Sequence, residues 1–230
     1  EGTIYHTLNG GDTWDYHAET FAYLLDMDFP PESNTGYTCG DNGAIFSVTS
    51  LGADIMTSGV ISNLQSIAFA TATEGWACGE LIIHFTGDSW QKDQTHPTVT
   101  YNAIHFTDNQ NGWAVGNNGI IVHTTDGQNW VAQTNPDTQN RSLYSVFFLN
   151  SNEGWAVGVN GIVLHTTNGG TTWTVEGNGL TSSFLTGVQF ISPTNGYIVG
   201  NNKTLLKYTQ ISGLEEMEQT AMEVWPNPTP

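Results

Sequence analysis

The sequence predicts an all-β chain, a β-propeller of four-stranded antiparallel blades, and two observations carry that prediction. A Gly-aromatic-x-x-Gly unit occurs five times, beginning at Gly36, Gly75, Gly112, Gly154 and Gly196. Successive copies start 39, 37, 42 and 42 residues apart, and a period near forty built from short apolar runs is the mark of propeller blades. A polar turn of the form [Ser/Thr]-x-[Asp/Asn]-x-Gly-x-[Thr/Ser]-Trp, the Asp-box pattern, recurs between the copies.

The fourth repeat shows one blade in order. Residues 142–149 alternate and are rich in aromatic and β-branched side chains, as an inner strand requires. Residues 150–153 are a polar turn, and 154–158 a short second strand whose glycines permit close backbone approach. Val159-Asn160-Gly161 reads as a tight hairpin, since Asn-Gly readily takes positive φ. Residues 162–167 form the third strand, and 173–176 begin the fourth.

The Asp-box is whole at residues 7–14 (Asn9, Gly11, Trp14) and 166–173 (Asn168, Gly170, Trp173). It is one residue short at 124–130 (Asp126, Trp130) and eroded at 85–90. Each part of the motif is structural: the Asp or Asn accepts backbone N–H bonds across the turn, and glycine supplies the left-handed conformation. The Trp is expected to pack between strands with its N–H satisfied locally.

Gly-[Trp/Tyr]-x-x-Gly combined with Thr-Thr-[Asp/Asn]-Gly-x-x-Trp resembles the repeats of the photosystem II stability and assembly factor family. More loosely it is similar to the BNR/Asp-box repeats of sialidases, sortilin-like receptors and some endoglucanases. The resemblance covers residues 2–208 and speaks for fold rather than function, because such propellers host many activities. It implies seven blades. This chain supplies five inner repeats and a partial N-terminal blade (residues 2–17), so a truncated six- or seven-bladed propeller is expected; pairing of the end pieces into one shared blade is the alternative. The family is also associated with a basic, arginine-rich patch, whereas the only basic residues here are Lys92, Arg141, Lys203 and Lys207, so its photosystem role transfers poorly.

Composition narrows the partners. A formal charge of −18 repels phosphate, which excludes nucleic acid, and no apolar run is long enough for a transmembrane segment. A glycan or extracellular protein suits such a surface. No cofactor is implied, although a surface divalent cation such as calcium is compatible with the charge. Cys39 and Cys78 take the slot of Val115, Val157 and Val199; neighbouring blades should hold them beyond the roughly 7 Å Cα limit of a disulfide, which makes them two small buried hydrophobes.

After residue 210 the repeat pattern stops. Residues 211–222 read as an acidic linker, and 223–230 (EVWPNPTP) as a proline-dictated turn. The latter resembles the opening of a type IX secretion C-terminal sorting domain, which implies that export machinery as a partner and a secreted, extracellular or outer-cell-surface location.

His6, His84, His123 and His165 recur just before the Asp-box. One per blade on a third strand places them too far apart for a zinc ion, which needs ligands about 2 Å away, so no metal site is assigned. The second-to-third hairpins and the blade-to-blade connections should share one face. That places Asp41, Asn42, Glu80, Asn117, Asn118, Asn160, Asn201 and Asn202 round the channel mouth as candidate binding residues, or as mere holders of positive φ. A sialidase needs three arginines and Arg141 stands alone, which excludes that activity. No nucleophile elbow, phosphate loop or clustered Cys/His set occurs, and no catalytic residue is assigned. The expected function is a secreted or cell-surface binding module using the loop face. The alternatives are an Asp-box-type glycoside hydrolase acting through two carboxylates, and a scaffold or assembly protein.

Overall fold

The computed structural model describes residues 2–92, 96–177, 179–209 and 213–216. A half-blade comes first, β1 (Gly2–His6) and β2 (Asp15–Thr20). Five four-stranded sheets follow. Their strands are β3 (Leu24–Asp28), β4 (Gly36–Gly40), β5 (Ile45–Thr49) and β6 (Gly52–Met56); β7 (Leu64–Thr71), β8 (Glu74–Gly79), β9 (Ile82–Phe85) and β10 (Trp90–Lys92). Next come β11 (Tyr101–Phe106), β12 (Gly112–Gly116), β13 (Ile121–Thr124) and β14 (Val131–Ala132), then β15 (Leu143–Phe148), β16 (Gly154–Gly158), β17 (Val163–Thr166) and β18 (Thr174–Glu176). The fifth blade is β19 (Leu185–Ser192), β20 (Asn195–Gly200), β21 (Leu205–Thr209) and β22 (Gly213–Glu216). All pairings are antiparallel and follow chain order within each blade. Strand β22 lies inside the segment read from sequence as a linker, because its backbone completes the ladder of β21. The sorting-domain reading of residues 223–230 and the rest of the linker fall outside the described residues.

The two glycines of each Gly-aromatic-x-x-Gly unit have different steric reasons. A Cβ at Gly112 or Gly154 would strike the ring of Phe106 or Phe148 on the adjoining inner strand. A Cβ at Gly116 or Gly158 would strike the carbonyl of Thr100 or Ser142. The aromatic between them forms the blade-to-blade contact. Trp76, Trp113 and Trp155 are fully buried and lie flat on Phe106, Phe148 and Phe190 of the following blade, at centroid distances of 3.6, 3.6 and 3.5 Å. Tyr37 does the same on Phe69 at 4.2 Å. The opposite face of each Trp is covered by His84, His123 or His165 at 4.6, 4.5 and 4.6 Å. The repeated histidine is therefore a stacking residue.

The Asp-box latches one blade to the one before it. Within the turn, Thr166 Oγ1 accepts from the Gly170 N–H (2.9 Å), and Asn168 Oδ1 from the Thr172 N–H (2.9 Å). Thr7 and Asn9 repeat these bonds at 2.9 and 3.0 Å. Held this way, the Gly169 carbonyl accepts the indole N–H of Trp113 (3.1 Å), and Gly127 that of Trp76 (2.8 Å). Trp173 is not satisfied locally as expected: its Nε1 donates to Gln133 of the previous blade (3.1 Å). Trp14 of the half-blade is exposed. In the third and fourth blades this ring packs on the Phe of its own inner strand, Trp130 on Phe106 and Trp173 on Phe148, and the half-blade has no inner strand among the described residues.

Every inner strand carries a register shift near its start, between Leu24/Asp26, Leu64/Ser66, Tyr101/Ala103, Leu143/Ser145 and Leu185/Gly187. Such bulges re-aim a side chain. Asp26 Oδ2 accepts from Ser66 Oγ (2.7 Å) and the Ile67 N–H (3.0 Å), and Ser145 Oγ accepts from the Val188 N–H (3.2 Å). The inner strands are thereby tied by polar bonds from one blade to the next.

Candidate functional site

One face of the molecule is assembled from the second-to-third hairpins and the connections that enter each inner strand. The tight turns Asp41–Gly43, Asn117–Gly119 and Val159–Gly161 place Asn42, Asn118 and Asn160 at φ of 57°, 57° and 52°, the left-handed region that Asn tolerates. Asn202 takes φ 57° in the fifth blade. Each hairpin leans on the connection into its own blade. The N–H groups of Asp41, Asn117, Val159 and Asn201 donate to the carbonyls of Tyr23, Thr100, Ser142 and Phe184 at 3.0, 2.9, 2.9 and 2.8 Å. It also reaches the connection into the next blade. Asn42 N–H donates to Asn63 Oδ1 (3.0 Å), Asn118 N–H to Ser142 Oγ (3.3 Å) and Gly161 N–H to the Ser183 carbonyl (2.8 Å).

The structure thus brings Asp41, Asn42, Asn117, Asn118, Asn160, Asn201 and Asn202 to one face; Glu80 occupies the matching turn of the second blade. Asn42, Glu80, Asn118, Asn160, Asn201 and Asn202 are exposed, and Asp41 and Asn117 half-buried. Asn117 Oδ1 accepts from Asn102 Nδ2 (3.1 Å), which also donates to the Leu143 carbonyl (2.8 Å).

Sequence reasoning missed what holds this face rigid. Arg141 donates through Nε and Nη2 to the buried carboxylate of Asp137 (3.1 and 3.1 Å) and through Nη1 to the Asn160 carbonyl (3.2 Å). Burial works against the Asp137 charge, but Arg141 outweighs it and holds the carboxyl below its usual range. The i,i+4 spacing of an Asp and the lone Arg was the available signal. Also missed were two exposed rings on connections of this face, Tyr23 and Phe184.

Two further carboxylates, Asp126 and Asp28, hold backbone N–H groups. Asp126 accepts from the N–H groups of Gln128 and Asn129 (2.9 and 2.7 Å); with the Asn129 amide these hold it far below the usual carboxylate range. Burial pushes Asp28 up, against hydrogen bonds from the Phe69 and Phe29 N–H groups (2.7 and 2.9 Å). Cys39 and Cys78 are free, fully buried thiols, and burial raises both well above the usual thiol range. Among the described residues no group of three or more His, Cys, Asp or Glu side chains is placed to hold a metal ion. Nor is any helix among them long and apolar enough to cross a membrane.

These features define a propeller of the Asp-box type with an exposed, amide-rich loop face. Residues 82–177 match the family described as photosynthesis system II assembly factor YCF48. The chain is 29% identical over 158 residues to the photosystem II assembly lipoprotein Ycf48 of Prochlorococcus marinus (strain MIT 9313), covering 63% of this chain and 47% of that protein. It therefore spans about half the length of the curated relative it matches. Among solved structures it is similar to YCF48 bound to D1 peptide (TM-score 0.71, 19% identity, 90% of this chain and 71% of that one). It is also similar to YCF48 from Cyanidioschyzon merolae (TM-score 0.70, 16% identity, 91% and 77%). The WD40 propeller domain of Doa1 is as alike in shape (TM-score 0.73) at only 11% identity, covering 90% of this chain and 72% of that one.

Two expectations change. The secreted, extracellular or cell-surface location is overturned, since the curated relative is a lipoprotein of photosystem II assembly. The scaffold or assembly reading fits these relatives better than the secreted binding module.

Proposed function

We propose that this chain is a propeller scaffold acting in the assembly of a protein complex, holding an extended segment of a protein partner on its loop face. The observation that carries this reading is the match of its central blades to an assembly-factor family, one of whose members is bound to a peptide in a structure of the same fold. The loop face supports it physically. Exposed Asn amides at Asn42, Asn118, Asn160 and Asn202 offer donors and acceptors to a peptide backbone, and the Asp137–Arg141 pair keeps their spacing fixed before binding. A net charge of −18 favours a segment of basic composition.

Fluorescence anisotropy with labelled D1 peptide tests this. Asn118→Gly and Asn160→Gly remove the amides while keeping positive φ available. Saturable binding weakened at least fivefold by the double variant is expected. Lack of saturation, indifference to the substitutions, or retention of a neutral polysaccharide in place of the peptide would overturn the reading.

A further inference from the structure

The second blade turns differently on the loop face. Gly116 and Ile121 are five positions apart, as are Gly158 and Val163, but Gly79 and Ile82 only three. The shorter turn holds no left-handed residue, so it lacks the N–H that Asn118 donates to Ser142 of the following connection.

A histidine supplies the link instead. The Ile82 N–H donates to Nε2 of His96 (3.4 Å), on the connection into the third blade. His96 Nδ1 lies 3.0 Å from the Pro97 carbonyl, and the Tyr101 hydroxyl donates to the same oxygen (2.9 Å). The imidazole stands edge-on to the Tyr101 ring, with centroids 5.7 Å apart. These contacts assign the tautomer: Nδ1 carries the hydrogen and donates to Pro97, while Nε2 offers its lone pair to Ile82. In the next connection Asn135 does the corresponding work, its Nδ2 donating to the Gly119 carbonyl (2.7 Å). An amide keeps its donors at every pH, and an imidazole acceptor does not.

We propose that His96 is a pH-operated latch on the loop face. It holds the connection of residues 96–100 against the second blade while the imidazole is neutral, and frees it on protonation. A proton on Nε2 turns the acceptor into a donor facing the Ile82 N–H, so the bond is lost and two N–H groups confront each other. The elements round the ring carry three other titratable or charged groups. Glu80 at the tip of the hairpin and Lys92 at the end of β10 are exposed, and among the described residues no hydrogen bond joins either to the ring. Burial raises the Tyr101 hydroxyl, which therefore remains a donor to Pro97. Of these groups only the imidazole ordinarily titrates between about pH 8 and about pH 5.5. The effect of release on peptide binding rests on the loop-face reading; the latch itself does not.

Hydrogen exchange on the full chain tests the latch, with each amide's rate corrected for its intrinsic pH dependence. Protection of the Ile82 amide should fall at least tenfold from about pH 8 to about pH 5.5. That of Val159, bonded to the Ser142 carbonyl (2.9 Å), should hold. His96→Asn has no proton to gain and should abolish the difference, and His96→Ala should leave Ile82 poorly protected at both values. Anisotropy with labelled D1 peptide then reads the consequence: affinity should change at least threefold with pH in the native chain and less than twofold in His96→Asn. Ile82 protection indifferent to pH, or a pH dependence that survives in His96→Asn, would overturn the proposal. A titrating Ile82 amide without peptide binding would support the latch and sink only the loop-face reading.

Discussion

Replacing the stacked tryptophans one at a time by phenylalanine separates ring packing from the indole hydrogen bond. Trp76 and Trp155 are equally buried and equally stacked, 3.6 and 3.5 Å from the next blade's Phe and 4.6 Å from their own His. Loss of ring volume therefore costs both sites alike. Trp76 Nε1 donates to Gly127 at 2.8 Å, and Trp76→Phe strands that carbonyl, adding a loss of about 1 kcal/mol. Trp155 Nε1 is buried with no partner among the described residues, because the fifth blade lacks the Asp-box that would supply the carbonyl. Trp155→Phe removes that unsatisfied donor and recovers about 1–3 kcal/mol of its desolvation cost. Trp76→Phe should thus be the more destabilising by about 2–4 kcal/mol. Trp113→Phe should fall between, since Gly169 keeps a second bond from Gln133 Nε2 (2.8 Å). For a domain of this size 1 kcal/mol moves Tm by about 2–4 °C, so the two extremes should differ by at least about 4 °C in calorimetry. Equal losses, or a larger loss from Trp155→Phe, would refute the role assigned to the Asp-box carbonyl.

The histidine slot should titrate with opposite signs in successive blades. At His165 burial opposes the charge, but Glu176 at 2.8 Å and Glu153 at 3.5 Å outweigh it and raise the pKa. Its stabilisation is complete below the ordinary value of about 6.5 and is lost as pH rises through the folded value. Burial alone lowers His123, so its contribution is complete above the ordinary value and disappears as pH falls through the depressed one. NMR titration of the imidazole C–H signals checks the order, and coincident midpoints would contradict it. In the third blade's turn Asp126→Asn should be nearly neutral, because Asn9 and Asn168 fill the same slot, whereas Asp126→Ala should cost about 1–2 kcal/mol in denaturant melts; equal losses would show that the acceptor is unimportant. Gly158→Ala drives a methyl into the Ser142 carbonyl and should cost about 1–3 kcal/mol by the same measurement, despite an extended φ of −173° that any residue can adopt. An unchanged midpoint would disprove the steric account.

What the sequence determined by itself is the repeating unit. The strand order of a blade, the paired glycines, the left-handed Asn turns and the bonds inside the Asp-box join residues only a few positions apart. Thr166 to Gly170 and Asn168 to Thr172 each span four residues, and such local chemistry leaves a fixed spacing in the chain. The loop-face Asn positions were legible for the same reason. The tertiary structure decided whatever joins one blade to another. The Trp76 and Trp113 indoles find their acceptors 51 and 56 residues away, and Asp26 reaches Ser66 across 40. It also turned a repeated histidine into a stacking partner, used the lone arginine to brace the loop face, and drew Gly213–Glu216 into the last blade. Those outcomes depend on which faces meet after each sheet has formed. A contact of that kind has no constant separation along the chain, so the pattern that revealed the blades was silent about what binds them together.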